Sequence, residues 1–247
     1  MSKRPILGPP LLVPCSGLNL LPCQCERHSS RARAQDPRIG SPLLEQIVAL
    51  AAPALCAACG DPSASGAVLC ERCKSDLAAA PRVIEPGPPG VDLAVAASPF
   101  DGPARRLVHA LKYARRLSLA KAAADAMLRA LPPREADGAL VPVPPGPWRW
   151  RWRGFDPAEE IALALAERTG LPIADCLRRG RGRRQVGRRR SDRLADPPRV
   201  WARGACPEKV LLIDDVWTTG ATLSASAQAL RDGGSRRVVS LTLARTI

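Results

Sequence analysis

Two adjacent carboxylates, Asp214 and Asp215, follow directly on the apolar run "VLLI" at 210–213. A turn poor in bulk comes next, with Thr218, Thr219, Gly220, Ala221 and Thr222, and it opens what reads as a helix. If the strand ends at 213, the acids point into the crevice beyond its carboxyl end, where open parallel sheets bind ligands. The amides of the turn face forward with the positive end of the helix dipole behind them, an arrangement that holds phosphate without a cationic side chain. The threonine hydroxyls add donors, and Gly220 lets the backbone come close. Carboxylates beside a phosphate repel it, so they must address something else on the same ligand. The vicinal hydroxyls of a ribose, with Mg²⁺ nearby, meet that requirement. The plainer reading is a pair of acids that caps a turn. A receiver domain also begins with a strand ending in two aspartates, but only 32 residues follow Asp215, too few for the rest of such a domain. No G-x₄-G-K-[ST] occurs, and "GRGRRQ" at 180–185 lacks the third glycine of a dinucleotide fingerprint.

The second constellation is four cysteines. Cys56 and Cys59 form one C-x₂-C hook, and Cys70 and Cys73 form another after a gap of ten residues. Each hook presents two thiolates at a bite that suits one tetrahedral Zn²⁺, and four sulfur ligands leave no open position for a substrate. A structural zinc site is therefore expected. Disulfides, or four inert buried thiols, are the alternatives. Cys176 and Cys206 stand alone in the sequence and read as apolar fillers.

The net charge is +14, and residues 178–193 hold nine arginines against one aspartate. So dense a basic stretch attracts phosphate, on a small molecule or on nucleic acid. Otherwise it is a solvated loop. The segment "WRWRWRGF" at 148–155 alternates indole and guanidinium. It reads either as a single-stranded nucleic-acid contact or as tryptophans packed on the domain with the arginines left wet.

These residues need elements to position them. Residues 1–40 carry six prolines and no sustained period, and they read as a disordered extension or as sequence upstream of the true start. Residues 41–82 read as a helix leading into a zinc ribbon, and 83–92, rich in proline and glycine, as a linker. From 93 to 247 short β-branched runs alternate with amphipathic helices. Strands are expected at 93–97, 139–143, near 172–177, at 209–213 and at 237–243. Helices are expected at 103–114, 117–131, 157–169 and 221–232. That alternation predicts an α/β fold, mainly a parallel sheet with helices on both faces. The longest apolar run has 13 residues and includes a proline, short of a membrane span, and no secretory leader is recognised. A soluble, cytoplasmic protein without membrane insertion is expected.

"LLIDDVWTTGATL" resembles the ribose-phosphate motif of type I phosphoribosyltransferases, and residues 41–247 resemble the ComF/GntX family of competence-related proteins. The resemblance runs through the cysteine quartet, "RRLVHALKY" at 105–113, "VPVP" at 141–144, "RGFDPA" at 153–158, Gln185 and Arg193. It departs from the family pattern at Asp156 and Pro157, in place of Asn-Gln, and at Asp196, in place of asparagine. The resemblance implies a small zinc module joined to a phosphoribosyltransferase-like domain. Asp214 and Asp215 would then meet the ribose of phosphoribosyl pyrophosphate, and the turn 218–222 its 5-phosphate. Pro144 and Pro145 would lie where pyrophosphate sits. Arg183, Arg184, Gln185 and Arg193 would belong to a mobile basic loop closing over the site, and Lys112 would pair with an anionic ligand. The expected activity is transfer of the phosphoribosyl group to an acceptor. The alternative is a non-catalytic, nucleic-acid-associated accessory factor that meets single-stranded DNA or DNA-uptake proteins.

Overall fold

The computed structural model describes residues 55–63, 67–113, 117–146, 154–180 and 198–246. The helix expected before the cysteines, the tryptophan–arginine alternation of 148–153, Arg183, Arg184, Gln185, Arg193 and Asp196 lie outside them. The described residues belong to one compact unit, Pro42–Ile247. Among them, no helix is long and apolar enough to cross a membrane.

The chain runs α1 (Glu71–Ala79), β1 (Val83–Glu85), β2 (Leu93–Pro99), α2 (Gly102–Tyr113) and α3 (Leu117–Ala130). It continues through a 3₁₀ turn to β3 (Ala139–Pro142), α4 (Pro157–Thr169), β4 (Leu177–Arg179) and β5 (Val200–Ala202). It closes with β6 (Lys209–Trp217), α5 (Ala221–Asp232) and β7 (Arg237–Arg245). Five strands form one sheet in the order β1-β2-β7-β6-β3, while β4 and β5 make a separate antiparallel pair. The β2–β7, β7–β6 and β6–β3 ladders are parallel, and only β1 runs antiparallel. The result is a mixed α/β structure with a mainly parallel sheet and, among the described residues, five helices, as the alternating pattern predicts.

The sheet is buried on both faces, which explains its near-continuous apolar strands. On one side Val95, Leu211, Ile213 and Leu241 pack under Leu107 and Leu111 of α2, Met127 of α3 and Leu165 of α4. Cys56, Cys73 and Leu77 join this same cluster, so the cysteine segment adds to the main core. On the other side Val141, Leu212 and Val238 pack under Leu223, Ala227 and Leu230 of α5 and against Leu177 of β4.

Three sequence expectations change. Within the segment expected to be a linker, Val83–Glu85 pairs with β2 at Val83↔Ala96, and only the residues after it turn. The β-forming side chains Val83 and Ile84 precede the proline and glycine that dominate the composition. The strand expected near 172–177 reduces to a bridge between Ile173 and Leu140, because Pro172 has no N–H to extend a ladder. Its chain joins a strand only at Leu177. Last, β6 does not end at residue 213. Its partner β7 continues alongside it, with Asp214 opposite Thr242 and Trp217 opposite Arg245, so the ladder carries both acids inside the strand.

Candidate functional site

The register around the two acids opens the site. The β3–β6 ladder stops at Pro142↔Ile213, one residue before Asp214. Val143 still donates its N–H to the Ile213 carbonyl at 2.9 Å. Beyond that bond β3 gives way to the loop carrying Pro144, Pro145 and Gly146. The acids therefore lie just past the carboxyl end of the β3–β6 ladder, within β6, with β7 continuing alongside on the other edge.

Asp215 turns toward α2, where Lys112 Nζ stands 2.9 Å from its Oδ2 as an ion pair. Both side chains are largely enclosed, with 25% and 13% of their surface exposed. No directed hydrogen bond reaches that carboxylate oxygen among the described residues, so the pairing is one of charge. Asp214 Oδ1 accepts the Asp215 backbone N–H at 2.8 Å. Burial of the Asp214 carboxyl pushes its pKa well above the usual carboxylate range. The negative charges of Asp215 and Asp156 add to that shift, and Lys112 offsets it only in part. Asp214 thus keeps its proton to a higher pH than an ordinary aspartate.

Asp156 reaches this cluster by opening α4. Its side chain accepts the Ala158 N–H at 3.3 Å and Pro157 occupies the first turn, two features that start a helix well. The two departures from the family pattern therefore form a working N-cap that also brings a third carboxylate toward Asp214.

The turn after β6 is braced from outside. Gly220 has φ +78, in the left-handed region, and an added Cβ would meet Pro88 at 3.0 Å and the Trp217 indole nitrogen at 3.1 Å. Glycine is needed there for the backbone angle and for that close packing. This reason differs from the ligand approach read from the sequence. Thr219 Oγ1 accepts the Ala221 N–H at 3.4 Å, and the first helical bond of α5 runs from Ser224 N–H to the Gly220 carbonyl at 2.8 Å. The amides of Thr222 and Leu223 precede that bond, at the open end of the helix. Thr218 is exposed, while Thr219 and Thr222 are half-buried. Arg245, at the end of β7, donates to the Thr218 carbonyl at 2.5 Å and to Glu85 Oε1 at 3.1 Å. Its guanidinium also lies 3.9 Å from the centre of the Trp217 ring. Two distant parts of the chain, residues 85–88 and Arg245, thus brace the turn.

Two cations that sequence reasoning did not assign stand at the edges of this region. Arg245 is one. Arg179 is the other, its guanidinium carbon 3.9 Å from where a Cβ on Gly146 would sit, over the loop of Pro144 and Pro145. Lys112 had a usable signal: it falls four residues after the buried Val108, at the edge of the apolar stripe of α2, where a lysine is out of place without a partner.

The cysteine quartet closes at a separate place. The four Sγ atoms of Cys56, Cys59, Cys70 and Cys73 all lie within 4.8 Å of one another. Cys59 Sγ and Cys70 Sγ are 3.6 Å apart. A tetrahedron with Zn–S bonds of about 2.3 Å has S···S edges of about 3.8 Å, so the donor set fits a metal such as zinc. Burial pushes the Cys56 thiol up, but backbone N–H groups of Cys70, Cys59 and Ala58 more than offset this and hold it at about 6. Burial and the neighbouring thiols push Cys73 the other way. The cluster is thus already polarised toward thiolate at one corner.

No family model matches the chain. Over 108 residues it is 34% identical to "Competence protein ComFC" of Streptococcus pneumoniae (strain ATCC BAA-255 / R6), a stretch that covers 43% of this chain and 47% of that protein. The match therefore spans about half the length of that curated relative. It supports the resemblance to the competence-related ComF family.

Proposed function

We propose that this chain is a ComF-family protein with a phosphoribosyltransferase-like domain, which binds phosphoribosyl pyrophosphate or a related ribose phosphate in the cytoplasm and transfers the phosphoribosyl group to an acceptor. The observation that carries the reading is the junction of β6 and α5. Two carboxylates lie just past the end of the β3–β6 ladder, and five residues after the second one the Gly220 turn opens a helix N-terminus. Carboxylates accept from ribose hydroxyls, while amides at a helix start accept an anion near them. The two ends of a ribose phosphate need these two chemistries at about that spacing.

In this reading Asp215, paired with Lys112, holds hydroxyls, and Asp214 supports it. Thr218, Thr219, Gly220, Ala221 and Thr222 receive the 5-phosphate, and Pro144 and Pro145 face the pyrophosphate. Displacing pyrophosphate from the anomeric carbon passes through a cationic sugar, so orientation of the ribose and neutralisation of the leaving group are what these residues must supply. Arg179, over the 144–146 loop, supplies positive charge on that side, and Arg183, Arg184, Gln185 and Arg193 would close over the ligand. Mg²⁺ would travel with the pyrophosphate and relieve its charge beside three acids. The cysteine quartet holds one structural zinc and fastens its segment to the main core.

Calorimetry with two ligands tests the assignment. Asp215→Asn is expected to weaken phosphoribosyl pyrophosphate at least roughly tenfold, because it removes a charge-assisted hydrogen bond, and to leave inorganic phosphate unchanged. Gly220→Val is expected to weaken both ligands. Equal losses for both ligands in Asp215→Asn would remove the ribose from this site.

A further inference from the structure

The β4–β5 pair carries a surface that the ribose-phosphate site does not use. Its two faces differ sharply. The inner one packs on the core beneath α5: Leu177, opposite Ala202, is buried, and Val200 lies half-buried against the same cluster. On the outer one Trp201 is 50% exposed, an unusual state for the largest side chain. Arg178 is its direct cross-strand partner, and residues in that relation share a face. Arg199 and Arg203 stand just outside β5, two positions to either side of Trp201, and both are exposed. In the segment "RVWAR", residues 199–203, arginines thus flank the tryptophan at every second position.

The surface is built rather than loose. Gly180 N–H donates to the Arg199 carbonyl at 2.9 Å, Arg203 N–H to Cys176 at 2.8 Å, and Cys206 N–H to Gly233 at 2.8 Å, so the pair is fastened at both ends and to α5. The indole edge passes over Gly180, where a Cβ would come within 3.1 Å of it. Asp175 holds the Arg178 guanidinium through two hydrogen bonds, at 2.5 and 2.7 Å, which fixes its plane beside the ring. Arg203 also acts on Asp175 through its charge. An open depression of about 490 Å³, bordered by Trp201, Gly204, Ala205 and Asp232, leaves room beside the indole. Three arginines stand here against Asp175 and Asp232, on a chain of net charge +14.

We propose that the outer face of the β4–β5 pair is a platform for single-stranded nucleic acid, with a base stacked on Trp201 and backbone phosphates on Arg199 and Arg203. The chemistry selects this occupant. An exposed indole offers a π-face that every base matches, and the flanking arginines supply the electrostatic track of a strand passing over it. A duplex keeps its bases stacked inside and presents only phosphate, so it gains nothing from the tryptophan. Arg178, already bound by Asp175, acts mainly by holding the rim of the platform.

The platform is independent of Asp214, Asp215 and the Gly220 turn, so either reading can fail while the other stands. The test is fluorescence anisotropy of the whole protein with a labelled oligothymidylate of about 20 nucleotides, longer than the footprint of a typical single-strand site. Trp201→Ala is expected to weaken binding at least roughly fivefold, within the range of one lost base stack, and to leave the salt dependence nearly unchanged. Trp201→Phe should keep most of the affinity. Arg199→Ala with Arg203→Ala should flatten the slope of log K against log salt by about 1.4, at about 0.7 per phosphate. All these side chains are exposed, so the variants should melt with the wild type, and phosphoribosyl pyrophosphate should bind them equally. Unchanged oligothymidylate binding in Trp201→Ala, or a duplex of the same length losing affinity as much as the single strand does, overturns the proposal.

Discussion

The cysteine quartet and the acidic cluster both crowd like groups together, and they manage it in opposite ways. The quartet comes from 18 consecutive residues, its sulfurs meet within 4.8 Å, and among the described residues no cation is a partner of its thiols. Polarisation there is supplied by backbone N–H groups, and the four donors could hold a metal such as zinc. The acidic cluster draws on Asp156 from the start of α4, Asp214 and Asp215 from β6, and Lys112 from α2. It carries its own counter-charge in Lys112. One site is assembled within a local stretch of chain; the other depends on the packing of three elements.

The largest effect should come from the quartet. Cys56→Ser is expected to lower bound zinc well below the one ion per chain that four thiolates hold, as read by elemental analysis. Because these residues share the main core, the thermal midpoint should fall by more than about 10 °C, equivalent to roughly 3–5 kcal/mol at this size. A folded, zinc-free protein with an unchanged midpoint would break the contrast outright.

A smaller change should follow at the acidic cluster. Lys112→Met leaves the enclosed Asp215 carboxylate unpaired, and chemical denaturation should report a loss of about 1–3 kcal/mol. Adding Asp215→Asn should restore part of it, since residues in contact couple. If the double variant shows simple additivity, the counter-charge is not what holds the acids together.

Arg245→Leu should cost about 1 kcal/mol of stability, the scale of the hydrogen bonds to Thr218 and Glu85 that it removes. The same variant should weaken inorganic phosphate binding several-fold, read by calorimetry, because the turn loses its brace. Binding equal to wild type would show that Gly220 and its packing hold the turn unaided.

The smallest and most discriminating effect concerns Asp214. Its folded pKa is raised, so the folded state holds the proton more tightly than the unfolded chain does. Stability from this group is therefore lost as pH rises from the ordinary carboxylate range through the raised folded value. Asp214→Asn removes that loss. The variant should match wild type in acid and exceed it at neutral pH in midpoints measured across the range. The opposite crossing would mean that Asp214 is stabilised as an anion.

Much of the fold was legible because its signals are local. The helix Pro157–Thr169 begins where Asp156 and Pro157 say it should, and Ala221–Asp232 begins just after Gly220. Strand ends were less legible. Nothing within "VLLIDDVW" announces that β7 will continue alongside and carry the strand to Trp217. The short strands β4 and β5 and the helix Glu71–Ala79 escaped as well. The strands are too brief for a period, and the helix exposes most of its surface, burying only Cys73 and Leu77.

Sequence by itself determined the cysteine quartet, the alternating elements and the acidic pair followed by a small-residue turn, since each is written within about twenty consecutive residues and answers to backbone geometry and burial there. Only the tertiary structure decided that Lys112 faces Asp215, that Asp156 loads a third charge onto Asp214, and that Arg245 and Glu85 clamp the turn. Those pairs are separated by 103, 58 and 160 residues in the chain. A charge or a hydrogen bond acts over a few ångströms in space, and the order of strands in the sheet is what converts those separations into contact.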